Sequence, residues 1–97
     1  MPTYISLLQF TDQGIAKIKD SPQRLEAARA AWQKAGAQLK EFYLTMGRFD
    51  AVVVSEAPDD ETVAKLALAT GALGNVRTET LRAFSEPEYR KLIQSLP

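Results

Sequence analysis

Strand-forming and helix-forming segments alternate along the chain in a regular order. Residues 3–10 are nearly continuous in apolar character, which is typical of a central strand. Residues 38–46 and 48–57 predict a hairpin with a two-residue turn at Met46-Gly47 or Gly47-Arg48, and residues 75–84 alternate as a fourth strand. Helical segments separate the first strand from the hairpin, and the hairpin from the last strand.

The first two helical segments precede the hairpin. Residues 11–20 predict a short helix with Ile15 and Ile18 directed inward, and Ser21-Pro22 is a start signal for the first main helix. That helix carries an apolar stripe and is expected to end at Gly36. The stripe is formed by Leu25, Ala28, Trp32 and Ala35.

The second main helix and a short C-terminal helix follow the hairpin. Asp59 or Asp60 is expected to cap the second main helix, and Ser85 to cap the C-terminal one. Each helix has an apolar stripe that we expect to point inward. The stripes are Val63, Leu66, Ala67 and Thr70 in the former, and Tyr89, Leu92 and Ile93 in the latter.

This order of elements predicts a single α+β domain over residues 1–97 with the ferredoxin-like βαββαβ arrangement and an extra short C-terminal helix. Right-handed crossovers give a four-stranded antiparallel sheet in the order 4-1-3-2, with both main helices on one face. The opposite face is left uncovered.

The alternation of side chains divides the hairpin into two faces. One face is apolar enough to pack under the helices: Phe42, Leu44, Met46, Phe49, Ala51 and Val53. The other mixes aliphatic, acidic and aromatic side chains: Leu39, Glu41, Tyr43, Thr45, Asp50, Val52, Val54 and Glu56. A mixed face without a helix over it predicts a partner, because soluble monomers rarely expose large apolar patches.

Composition removes several chemistries. The chain has no cysteine and no histidine, which excludes disulfides, thiol chemistry and the usual zinc and haem ligands. Its 12 basic and 12 acidic residues cancel, so nothing favours nucleic acid or a membrane surface as a partner. An all-carboxylate Mg²⁺ or Ca²⁺ site remains open in principle, but we predict no cofactor and no metal. Without a signal segment the expected location is cytoplasmic.

Asp50 and Glu56 share the mixed face but do not form a catalytic carboxylate pair. They stand about 20 Å apart along one extended strand, which is too far for joint acid–base chemistry. A hydrogen-bonded role at the end of the hairpin is favoured for Asp50, and an ion pair, for example with Lys40, for Glu56. If a ligand site exists, this face supplies the candidate residues Tyr43, Asp50, Val52, Val54 and Glu56, with Arg48 near the rim.

The chain resembles the GYD domain family of small proteins. The resemblance runs through GIAKIKDSPQRLEAARAAWQKAG, EFYLTMGRFDAVVVSEAPDD and GNVRTETLRAF, and thus covers most of the chain. It implies a ferredoxin-like domain of the dimeric α/β-barrel type, and it brings no reaction, cofactor or catalytic residue with it. The family signature reads Gly47-Arg48-Phe49-Asp50 here, with phenylalanine in place of the tyrosine, so a phenol at that position is not essential.

Two functional hypotheses follow from these observations. The first is a non-catalytic module that forms a homodimer or a higher homo-oligomer through the mixed face and holds a small hydrophobic ligand between the two sheets. The second is a small cofactor-free enzyme, resembling the monooxygenases or isomerases of the dimeric α/β-barrel type. A closed cavity where a carboxylate and a tyrosine converge would favour the enzyme. A regulatory domain that binds effectors at an oligomer interface is close to the first hypothesis.

Overall fold

The structure is a computed structural model that describes all residues, 1–97. Its strands are β1 (Thr3–Phe10), β2 (Gln38–Leu44), β3 (Ala51–Glu56) and β4 (Val76–Ala83). Its helices are α1 (Asp12–Ala16), α2 (Ser21–Lys34), α3 (Asp60–Ala72) and α4 (Glu86–Gln94), with a 3₁₀ turn at Ile18–Asp20. None of the helices has the length and apolar character needed to cross a membrane.

The four strands form one antiparallel sheet in the order β2-β3-β1-β4, which is the predicted 4-1-3-2 order read from the other edge. Tyr4 in the central β1 lies opposite Ser55 on one side and Arg82 on the other. The α+β fold class and the ferredoxin-like topology are therefore confirmed.

Strand pairing fixes which side chains share a face. Tyr4, Ser6 and Leu8 of β1 lie across from Ser55, Val53 and Ala51 of β3 on the face that α2 and α3 cover. Intervening positions, such as Ile5 opposite Val54 and Leu7 opposite Val52, lie on the open face. The prediction that Val52 and Val54 lie away from the helices is therefore correct.

The tightest core lies at one end of the covered face. Tyr4 and Trp32 pack there with Val63 from the start of α3, and the buried Ala37 and Ala57 complete the cluster. Large rings against small side chains let the helix layer approach the sheet closely at this end. Toward the other end of the helices, the layer leaves space above the sheet.

The predicted caps of α3 and α4 are present. The Asp59 carboxylate accepts a hydrogen bond from the backbone N–H of Thr62 at 2.8 Å. Ser85 and Glu88 form a reciprocal capping box at the start of α4. These side chains satisfy backbone donors that the first helical turn leaves unpaired.

The hairpin differs from the prediction in its connection. In place of a two-residue turn, the strands are joined by a loop from Thr45 to Asp50, which a Thr45 N–H to Asp50 carbonyl hydrogen bond of 2.9 Å closes. Gly47 has φ of 126°, a conformation that favours glycine. Leu44 and Met46, predicted under the helices, are instead 73% and 98% exposed, because α2 and α3 do not extend over this end of β2.

Leu39 also changes face. The register shifts between Leu39 and Glu41, so an extra residue, Lys40, reverses the alternation locally. Leu39 then packs against the Trp32 end of the core instead of the open face.

The inward orientation predicted for α1 and α4 is wrong. Ile15 and Ile18 are more than a third exposed, and no residue of α4 is buried. The apolar side chains of α4 follow one helical stripe and all remain exposed: Tyr89, Leu92 and Ile93, with Leu96 beyond the helix. The radius of gyration is 14.6 Å, above the value of about 13 Å for a compact chain of this length, in keeping with a protruding α4.

Candidate functional site

The open sheet face has an apolar centre and a polar margin. Ile5 and Leu7 of β1 lie between Val54 and Val52 on one side and Leu81 on the other. Polar and charged side chains of the same face lie around this centre: Gln9, Glu41, Glu56, Arg77 and Glu79. Protein interfaces commonly have this arrangement of an apolar core within a polar rim.

The structure brings three of the candidate residues together. Tyr43 lies directly opposite Val52, and Val54 follows on the same face of β3. The Tyr43 hydroxyl donates a 2.8 Å hydrogen bond to Glu41, and this bond is the main cause of a raised pKa of Tyr43. Tyr43 and the two valines thus form one continuous surface at the β2 side of the open face.

Asp50 acts at the junction between the hairpin and β1. Its carboxylate accepts a 2.8 Å hydrogen bond from the backbone N–H of Phe10, and its own N–H donates to the Leu8 carbonyl. The preferred role of Asp50 as a hydrogen-bonded residue at the hairpin end is confirmed, although the partner of its carboxylate is on β1 and not on the hairpin. Asp50 also lines a shallow polar depression with Thr11, Gln13 and Arg77.

Glu56 and Arg48 lie at opposite ends of the hairpin. Glu56, the last residue of β3, forms a 3.6 Å ion pair with Lys40, as predicted for a structural role. The Arg48 guanidinium lies over the Phe49 ring at 5.8 Å from its centroid. Neither residue meets Asp50 at a common point, so the six candidates form an interrupted surface instead of one converging cluster.

A tyrosine and a carboxylate do meet elsewhere, at the closed end of the core. The Tyr4 hydroxyl donates a hydrogen bond to Asp60 at the start of α3. Burial, followed by this hydrogen bond, raises the pKa of Tyr4 from the ordinary 10.0 to about 12. A phenol that holds its proton this firmly is poorly suited to proton transfer near neutral pH, which favours a structural role.

An apolar cavity lies between α2, α3 and the sheet, on the covered face. It has a volume of about 460 Å³ and is lined by 22 residues, of which 15 are hydrophobic. Leu8 and Val53 form part of its floor, while Leu25 and Leu66 line it from the two helices. Its size and apolar lining match those of small-molecule sites. None of the six candidate residues lines it.

The only charged residue in the lining of this cavity is Arg24. Its guanidinium donates hydrogen bonds to the Lys17 carbonyl at 2.9 Å and the Gly14 carbonyl at 3.3 Å. Both acceptors are neutral backbone carbonyls, and no Asp or Glu lines the cavity. The positive charge of Arg24 therefore has no carboxylate partner among the lining residues.

The sequence contains a signal for this cavity, in the small residues on the inward sides of α2 and α3. The predicted inward stripes of α2 and α3 are correct except for Ala35, which is exposed at the end of α2. Two stripe members, Ala28 and Ala67, are small and line the cavity together with Ala31. Small side chains on two facing helices leave space between them unless the helices approach closely. Three acidic side chains, as a metal site would need, do not come together anywhere in the structure.

The GYD domain family model matches residues 4–93. This chain belongs to the GYD domain family. A relative from Thermus thermophilus, named glutamine synthetase and cystathionine beta-lyase binding protein, is 34% identical over 84 residues, which cover 86% of this chain and 88% of the relative.

Solved structures share the fold. The protein TTHA0845, also from Thermus thermophilus, superposes with a TM-score of 0.56 at 26% identity, covering 88% of this chain and 95% of that one. MtbAldR superposes with a TM-score of 0.69 at 16% identity, and the match spans 88% of this chain and 52% of that protein. The GYD protein thus shares its fold with a domain of a larger protein.

Proposed function

We propose that this GYD protein is a non-catalytic binding module that forms a homodimer through its open sheet face and binds other proteins. The observation that carries the proposal is the apolar centre of that face. Ile5, Leu7, Val52 and Val54 are only half-buried in the single chain, and no element of the chain packs over them. A second copy related by a two-fold axis would bury this centre against its own equivalent.

The C-terminal helix supports the same assembly. Its stripe of Tyr89, Leu92 and Ile93 is about half exposed. The helix follows β4 after a short connection, and Leu81 near the end of β4 lies on the open face. An amphipathic helix with no packed face gains little stability from its own chain, since most helical stability comes from tertiary contacts. In the dimer, α4 extends the interface from the sheet onto the partner copy.

Analytical ultracentrifugation at micromolar concentration tests the dimer. The parent protein is expected to sediment as a dimer and Val54→Lys as a monomer, because the new ammonium would be desolvated at the centre of the interface. Gln33→Lys, at an exposed position of α2 on the other side of the sheet, is the matched control and should remain dimeric. A monomeric parent, or a Val54→Lys variant that stays dimeric, rejects the sheet face as the interface.

The named relative motivates the second half of the proposal. Because that protein is named for binding glutamine synthetase and cystathionine beta-lyase, the same two enzymes are the first partners to test here. Each enzyme, purified from the organism that encodes this chain, is immobilised and the GYD protein is titrated over it in biolayer interferometry. Saturable binding to either enzyme supports a protein-binding module. Absence of binding to both leaves self-association standing and removes this choice of partner.

A further inference from the structure

The cavity between α2, α3 and the sheet has the features of a ligand site in its own right. At about 460 Å³ it has the volume of about fifteen water molecules, at roughly 30 Å³ each. Its lining is chiefly aliphatic, and the hydroxyls of Ser6 and Thr80 in the floor are 3.0 Å apart and satisfy one another. Water gains few partners in such a space, whereas a hydrocarbon body fits it.

Arg24 supplies the polar end of the site. Arg24 is one of the lining residues, and two of its guanidinium nitrogens donate to the carbonyls of Lys17 and Gly14, which holds the side chain in one position. A guanidinium has five N–H donors, so three remain free for a ligand. No acidic residue lines the cavity to neutralise the charge.

We infer that this cavity binds an amphipathic monocarboxylate, with the carboxylate on Arg24 and the hydrocarbon body between Leu25 of α2 and Leu66 of α3. The planar guanidinium matches a carboxylate in geometry. A single cation balances a single negative charge, which favours a carboxylate over a doubly charged phosphate. The site lies within one chain and on the opposite face from the proposed dimer interface, so it does not depend on assembly.

Trp32 gives a direct readout, because it lines the cavity and is the only tryptophan of the chain. The parent protein is titrated with octanoate, with 1-octanol as the uncharged analogue, and with acetate as the carboxylate without a hydrocarbon body. Octanoate is expected to change the Trp32 fluorescence saturably and to raise the melting temperature. Binding of 1-octanol should be about tenfold weaker, as expected for the loss of one charge-assisted hydrogen-bonded pair, and acetate should have no effect.

Variants assign the binding to Arg24 and to this cavity. Arg24→Gln should weaken octanoate about tenfold and leave 1-octanol unchanged, whereas Arg24→Lys should retain part of the preference for the acid. Lys65→Gln, which removes one positive charge from the exposed side of α3, is the matched control and should bind like the parent. Ala28→Leu fills the cavity and should weaken both ligands, and Val54→Lys should weaken neither.

Three results would overturn the inference. The first is the absence of any fluorescence change or thermal shift with octanoate. The second is equal affinity for octanoate and 1-octanol, or an Arg24→Gln variant that binds octanoate as the parent does. The third is loss of binding in Val54→Lys with binding retained in Ala28→Leu, which would move the ligand to the open face.

Discussion

The two faces of the sheet differ in their aliphatic content. The central strands are more uniformly aliphatic on the open face than on the face that the helices cover. On the covered face, the central strands mix the small residues Ser6, Ala51 and Ser55 with larger ones such as Leu8 and Val53. On the open face, the neighbouring positions are branched aliphatics, Ile5, Leu7, Val52 and Val54. The chain thus places its most uniformly aliphatic surface where its own helices do not reach. The aliphatic surface is the one that we propose as the dimer interface, while the covered face includes the lining of the cavity.

The largest test of this difference compares neighbouring valines on β3. Val53→Lys places an unpaired charge under the helices and is expected to cost about 5 kcal/mol or more, on the order of the whole stability of a small domain. Val52→Lys places the same charge on the open face and should separate the dimer while leaving the monomer folded. Circular dichroism and sedimentation of both variants distinguish the outcomes. Unfolding of both, or of neither, would mean that the two faces do not differ as described.

The junction at Asp50 ties the faces together at one end of the sheet. Asp50→Ala removes the acceptor for the Phe10 N–H, and the expected loss is about 1 to 3 kcal/mol because that donor is part-buried. Asp20→Ala is a suitable control, since the Asp20 side chain makes no capping hydrogen bond to α2. Urea unfolding measures both variants. Equal midpoints for Asp50→Ala and the parent would contradict the role assigned to Asp50.

Tyr4 allows the covered face to be probed by pH. Its pKa is raised to about 12 in the folded protein, so the unfolded chain loses this proton first as the pH rises. The contribution of Tyr4 to the free energy of unfolding is therefore fully present below about pH 10 and is lost as the pH rises toward 12. Tyr4→Phe should lose about 1 kcal/mol at neutral pH and lack this part of the alkaline decline. Tyr89→Phe, on the exposed side of α4, should keep the decline of the parent, and an unaltered decline in Tyr4→Phe would refute the assignment.

The smallest expected effect concerns two serines of the covered face. Ser55 is fully buried and its hydroxyl has no hydrogen-bond partner, whereas the Ser6 hydroxyl pairs with Thr80. Ser55→Ala should gain up to about 1 kcal/mol, and Ser6→Ala should lose a similar amount because Thr80 is left unpaired. Thermal unfolding of the two variants gives the signs. Two shifts in the same direction would show that the hydrogen-bond status of the hydroxyls does not decide the stability.

The features that depend on local sequence pattern, namely strand faces and helix starts, were predicted correctly. Strand alternation placed Val52 and Val54 on the open face, and cap signals located the starts of α3 and α4 at Asp59 and Ser85. The prediction from sequence was wrong where strand register or tertiary packing decides the position of a side chain. Leu39 changed face because of one extra residue in β2, and the stripe of α4 predicted a packed helix although the single chain offers it no surface.

The candidate site was predictable to a lesser extent. Tyr43, Val52 and Val54 came together as expected from their alternation, and the hydrogen-bonded role of Asp50 was anticipated without its partner Phe10. The cavity was not anticipated, because its volume depends on how far α2 and α3 stand above the sheet. The distance between a helix and its neighbour depends on the side chains of both, so the apolar stripe of α2 or α3 alone does not predict it.

The strand order described above also constrains how the chain folds. Only β2 and β3 are joined by a short loop. The partners of β1 are far away in the sequence, since Tyr4 pairs with Ser55 and with Arg82. Closing such long loops carries an entropy cost that long-range contacts must then offset, so strands of this kind join late. The β2–β3 hairpin is the natural place for folding to begin, and insertion of β1 between β3 and β4 is the step that completes the sheet. Because β1 carries residues of both faces, the cavity floor and the apolar centre of the open face form together, in that single late step.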